Sequence, residues 1–220
     1  MSDSEDKTPS AFEFEELVAK IQVVESWAER NPPEKEPEWK PTVARKLVGD
    51  TRRVPERHLQ SIYDREPVDC DALRHVREFV ADKSAHMLLL LGLPGTRKTG
   101  SACWALTQRS GLFVAGRELS RIAMSKFTDE QDLFRSFFKT SFLIFDDLGT
   151  EYSDDKGWII SIIDGLVDAR YAACLKTIFT SNLSPTEFKQ KYGERFADRL
   201  RECGRVVTLG GESVRKGKLC

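Results

Sequence analysis

Histidine is scarce in this chain, with three in 220 residues, and the five cysteines (Cys70, Cys103, Cys174, Cys203 and Cys220) are scattered. No two cysteines fall at metal-ligand spacing, which argues against a zinc site and for reduced thiols in a cytoplasmic protein. A long hydrophobic run is missing too. The longest, 87–91, is far too short to cross a bilayer, so no membrane span is expected. The acidic, polar N-terminus does not read as a secretory leader. Net charge is nearly absent, at −1, which excludes a uniformly basic nucleic-acid binder.

What charge there is lies unevenly. Residues 1–40 hold 5 Lys/Arg and 11 Asp/Glu, leaving a mildly basic remainder that permits contact with DNA. Residues 11–30 carry Phe12, Leu17, Val18, Ile21, Val24 and Trp27 at roughly helical spacing, and four prolines follow within 31–41. The expectation is two parts: 1–41, an acidic helix and proline-rich linker, and 42–220, a catalytic domain. An acidic helix with an apolar face suits docking to a protein groove or packing on its own core.

The remainder alternates. Apolar strands are expected at 86–91, 111–115, 141–145, 176–180 and 206–209. Helices are expected at 68–83, from the loop after the first strand to 109, and at 117–125, 129–139, 156–171, 184–190 and 194–201. Strands alternating with helices imply an α/β fold with a five-stranded parallel sheet covered on both faces.

The stretch Gly92-Leu93-Pro94-Gly95-Thr96-Arg97-Lys98-Thr99-Gly100 leaves a strand and opens a helix. That is the context of a phosphate-binding P-loop. Gly92 and Gly95 let backbone N–H groups turn toward phosphate. Lys98 can reach the β- and γ-phosphates, and the Thr99 hydroxyl can serve Mg2+. The glycine usual before the lysine is Arg97, which either folds over the phosphates, misplaces Lys98 or points into solvent. The third apolar strand ends in Asp146-Asp147: Asp146 is placed to hold Mg2+, and Asp147 to orient or deprotonate an attacking water. Asn182, ending Thr177-Ile-Phe-Thr-Ser-Asn182, can position that water or cap the next turn. Arg195 and Arg199 share one helical face. They suit an arginine finger reaching a neighbouring subunit, or ion pairs with Glu194, Asp198 or Glu202. Arg215 is a candidate contact to nucleotide, or part of a solvated basic tail.

In order, the blocks GLPGTRKT, FLIFDDLGTE, IIDGLVDARY, TIFTSNLSPTEF, YGERFADRL and GGESVRKG resemble the DnaC/IstB family of AAA+ ATPases over roughly residues 54–216. The resemblance implies a P-loop NTPase of the AAA+ ASCE type without a C-terminal helical lid. It implies Walker A roles for Lys98 and Thr99, Walker B roles for Asp146 and Asp147, sensor 1 for Asn182, a trans-acting finger at Arg195 and sensor 2 at Arg215. It also implies ATP with Mg2+, a homo-oligomer formed on DNA, and a protein partner. That partner is a replicative helicase in a loader, or a transposase in an IstB-like helper. A nucleotide-dependent binding module with little hydrolysis is the reading Arg97 motivates.

Overall fold

The computed structural model describes residues 53–64, 68–151 and 157–210, all within the unit Pro41–Cys220. The expected helix at 11–30, the linker after it and Arg215 lie outside these residues. In chain order the elements are α1 (Glu56–Asp64), α2 (Asp71–Ala81), β1 (Met87–Gly92) and α3 (Lys98–Trp104), which tightens into a 3-10 turn at Ala105–Thr107. Then come β2 (Leu112–Ala115), α4 (Gly116–Met124), α5 (Thr128–Lys139), β3 (Phe142–Leu148), α6 (Trp158–Ala172), β4 (Lys176–Ser181), α7 (Pro185–Cys203) and β5 (Gly204–Leu209).

All five strands pair in parallel, in the order β2-β3-β4-β1-β5. The continuous apolar run of β1 follows from burial on both faces. Met87, Leu89 and Leu91 pack into one core with Leu119, Phe137, Ile163 and Phe196 from α4–α7. Leu88 and Leu90 pack into the other with Ile62, Val76, Phe79 and Cys103 from α1–α3. The expected three layers are therefore present.

Four local departures have physical reasons. Helix α1 offers only Leu59 and Ile62 as apolar anchors, too few for a periodic signal, and it starts behind Pro55, whose carbonyl accepts from the His58 and Leu59 amides. Helix α3 stops before 109 because the Thr107 hydroxyl takes the Trp104 carbonyl at 2.7 Å, while Gln108 N bonds the Ala105 carbonyl. Strand β3 continues to Leu148 through a bulge: Asp146 and Asp147 together oppose Thr180, between the pairs Phe145–Phe179 and Leu148–Ser181. The two helices expected at 184–190 and 194–201 join as α7, broken at Gly193 (φ 83°, ψ 171°). Helix α7 begins with a capping box, Ser184 Oγ accepting from Glu187 N at 3.3 Å and Glu187 Oε2 from Ser184 N at 2.8 Å, with Pro185 at its first turn.

Two buried cations close the edge of the sheet where the strands begin. Arg170, 0% exposed, donates from Nε to Thr177 Oγ1 (2.7 Å), from Nη1 to the carbonyls of Phe137 (2.7 Å) and Thr140 (2.9 Å), and from Nη2 to the Lys176 carbonyl (2.8 Å). Burial lowers its pKa to about 10. Lys176 Nζ donates to the carbonyls of Phe79 (2.8 Å), Asp82 (2.6 Å) and Ala85 (3.0 Å) and lies 4.2 Å from the centre of the Phe79 ring. Burial brings its pKa down to about 8. Each cation thus takes carbonyls that the ends of α5 and α2 leave without helical partners, at the negative ends of those dipoles. Lys176→Met strips three acceptors of their donor. It should destabilise the protein by on the order of 3 kcal/mol, read from the urea unfolding midpoint.

Candidate functional site

The loop from Gly92 to Thr99 crosses the carboxyl edge of β1. Gly92 has φ 149°, and a Cβ there would lie 2.7 Å from the Leu209 carbonyl, so β5 passes too closely for any side chain. Lys98, 5% exposed, turns its ammonium into the loop, donating to the carbonyls of Gly92 (2.6 Å) and Leu93 (3.0 Å) and to Thr96 Oγ1 (3.2 Å). Arg97, immediately before α3, has φ 62° and ψ 18°. This left-handed conformation is the reason glycine is usual at that place, and a non-glycine residue there costs about 1 kcal/mol.

The two aspartates share one hydrogen-bonding partner. Thr180 Oγ1 donates to Asp146 Oδ1 at 2.6 Å and accepts from Asp147 N at 2.9 Å. Asp147 sits at φ 57° in the bulge and its Oδ1 accepts from Asn182 Nδ2 at 2.6 Å. Burial pushes the Asp146 carboxyl above its ordinary value, opposed by hydrogen bonds from Thr180 and Thr99. Thr99 and Asp146 therefore lie side by side, an oxygen pair suited to a hard cation such as Mg2+. Among the described residues no cluster of three or more His, Cys, Asp or Glu could hold a metal alone, so phosphate and water oxygens would complete that shell.

The loop leaving β3 is locked from below. Glu151, whose side chain is fully buried, accepts from Gly149 N (2.8 Å), Tyr192 Oη (2.7 Å) and Lys191 Nζ (2.9 Å), and Lys191 also reaches the Gly149 carbonyl at 2.9 Å. Burial and the Glu151 charge push the Tyr192 hydroxyl pKa upward. The clamp thus ties the Asp147 loop to the first half of α7. Beyond Gly193, exposed Arg195 pairs with Asp164 at 3.2 Å and with Asp168. Arg199 is mostly buried; it also pairs with Asp168 and lies 5.3 Å from the centre of the Tyr171 ring. The partners are thus carboxylates of α6. Of the acidic residues expected to pair with these arginines, Glu194 and Asp198 instead hold Arg201, with Glu194 Oε1 at 2.6 Å.

Two cavities flank the P-loop. One, of about 330 Å3, is lined by His58, Ile62, Cys70, Leu73, Arg97 and Trp104. The other, of about 410 Å3, is lined by Val68, Asp71, Thr96, Arg97, Leu209 and Gly210. The first is large enough for a nucleoside and mixes apolar and polar groups. The structure therefore brings Gly92–Gly100, Asp146, Asp147 and Asn182 to one edge, with Arg195 and Arg199 on the far half of α7. Sequence reasoning missed Thr180, Glu151 and the α1 wall. The first two stood inside quoted blocks, and their polarity at the end of a buried strand or just beyond one was the available signal.

The Asp146 carboxyl has its folded pKa above the unfolded value, so the native state binds its proton more tightly. Stability then falls as pH rises from 3.8 through the folded pKa. Asp146→Asn, free of nucleotide and metal, should melt above the wild type at pH 7, with the gap narrowing toward pH 3.8 in thermal scans.

No family model matches the sequence, and no curated protein does. Solved structures do. The DnaC helicase loader superposes with a TM-score of 0.58 and 22% identity, over 71% of this chain and 100% of that one. DnaI gives 0.56 and 24%, over 74% and 95%. AMPPCP-bound DnaA from Aquifex aeolicus gives 0.52 and 14%, over 67% and 49%. The likeness first read from the sequence blocks holds at the level of architecture: this chain has the AAA+ P-loop fold of the helicase loaders DnaC and DnaI.

Proposed function

We propose that this protein binds and hydrolyses ATP, assembles on DNA when ATP-bound, and helps place a partner protein there, as a DnaC-like loader of a replicative helicase. The observation that carries the ATPase reading is the convergence of Lys98, Asp146, Asp147 and Asn182 on one sheet edge. The loader reading rests on the similarity in fold to DnaC and DnaI together with the sequence blocks.

The geometry supports a set of roles. Backbone amides of the loop and the Lys98 ammonium take the β- and γ-phosphates, the ammonium exchanging loop carbonyls for phosphate oxygens. Thr99 and Asp146 would hold Mg2+, which supplies charge to offset that developing on the transferred phosphoryl group. Asp147 accepts a proton from the attacking water, and Asn182 fixes the orientation of the Asp147 carboxylate through the 2.6 Å bond. Arg195, on the surface, exchanges the carboxylates of α6 for the triphosphate of a neighbouring subunit. Arg199, packed on Tyr171, supports that half of α7.

Titration with a fluorescent ATP analogue and a phosphate-release assay test this. Lys98→Ala should lose nucleotide binding. Asp147→Asn should bind ATP yet fail to turn it over; normal turnover would refute the assignment of the water-activating group. Arg195→Ala should leave binding intact and lower turnover about 10³-fold or more, only at concentrations where the protein assembles. A rate unchanged across the concentration range would remove the finger.

A further inference from the structure

Arg97 is the residue that sets this P-loop apart, and the structure shows where it goes. Lys98 and Thr99 face Asp146, on the metal and γ-phosphate side: the Thr99 hydroxyl bonds the Asp146 carboxyl, and the Lys98 charge opposes its upward pKa shift. Arg97 is the exposed member of the three. It lines both flanking cavities, beside His58, Ile62 and Trp104 in one and beside Asp69, Asp71 and Leu209 in the other, where the two aspartates are already paired with Arg77 and Arg74. Among the described residues its guanidinium makes no hydrogen bond or ion pair. The neighbouring arginines differ: Arg74 pairs with Asp71 at 2.9 Å, Arg77 with Asp69 at 3.5 Å, and Arg57 donates to His58 at 3.3 Å. Nor does backbone preference explain Arg97, because at φ 62° an arginine is disfavoured against the usual glycine.

An unpaired guanidinium held at a backbone cost, at the mouth of a nucleoside-sized cavity, fits an anion on the nucleoside side of the loop. We propose, on the reading above that the loop binds nucleotide, that Arg97 is a phosphate-binding residue. Its fork takes the nucleoside-proximal phosphates. Because this charge is permanent and lies at the far end from Thr99 and Asp146, it supplies part of the neutralisation that a divalent cation otherwise provides. The cleft therefore retains nucleoside diphosphates well, with a reduced requirement for metal. Product then leaves slowly, so the nucleotide acts more as a held ligand than as a rapidly consumed fuel.

Three variants separate charge from backbone. Arg97→Ala removes the guanidinium and keeps a side chain in the left-handed conformation. Arg97→Lys keeps the charge and loses the fork. Arg97→Gly removes charge and backbone cost together. Binding of a fluorescent ADP analogue is measured with excess Mg2+ and with EDTA, beside thermal melting without nucleotide. The expected result is that Arg97→Ala and Arg97→Gly weaken ADP binding in EDTA at least about tenfold, with a smaller loss in Mg2+ and Arg97→Lys between. Arg97→Gly should also melt about 2–4 °C higher than the wild type. Binding and stability would then move in opposite directions at one residue. If Arg97→Ala and Arg97→Gly bind ADP in EDTA as tightly as the wild type, the inference falls and the nucleotide site stands. If the wild type binds no nucleotide and Lys98→Ala changes nothing, the reading beneath it falls first.

Discussion

One pairing choice governs the rest of this molecule: β4 lies between β1 and β3. Had β3 paired directly with β1, the carboxylates would crowd the P-loop with no room for another polar residue. The inserted strand opens a gap one strand wide, about 5 Å. It also delivers Thr180 and Asn182 into that gap from its carboxyl end. Thr180 then holds both aspartates, the Asp146 carboxylate through its hydroxyl proton and the Asp147 backbone amide through its lone pair. Asn182 reaches only Asp147. A single intervening strand thus sets spacing and orientation at the edge where chemistry is expected.

The opposite edge is arranged on another principle. There Arg170 and Lys176 are driven into the interior and satisfied by carbonyl oxygens at helix ends and strand starts. The cost of burying these charges is offset by hydrogen bonds and by dipoles already pointing the right way. Both residues flank the turn into β4, so the strand on which the site depends is pinned where it begins. Glu151 repeats the pattern with the opposite sign: a buried carboxylate receives an amide, a phenol and an ammonium, and joins the loop after β3 to α7.

Much of this was legible in the sequence because it depends on local pattern. The five strands were visible as apolar runs, and the P-loop through its glycines and its place between strand and helix. Asp146, Asp147 and Asn182 were visible as polar residues ending such runs. What escaped depends on packing. Helix α1 carries too few apolar residues to announce itself and exists because Ile62 and Leu59 find a core supplied by distant segments. The partners of Arg195 and Arg199 come from α6, about thirty residues earlier, whereas spacing reveals only neighbours on the same helix. Thr180 was one of several hydroxyls in its strand. Only the bulge opposite it, which no composition rule marks, singles it out.

That bulge also bears on which acid stands at 147. A backbone at φ 57° admits Asp and Asn far more readily than longer side chains, because their short polar groups can bond locally. Strand geometry and the proposed proton-accepting role therefore favour the same residue for separate reasons. A glutamate would have to straighten the distorted ladder before its extra methylene brought any advantage. Shape thus constrains the repertoire of bases open to this edge before any selection for rate begins.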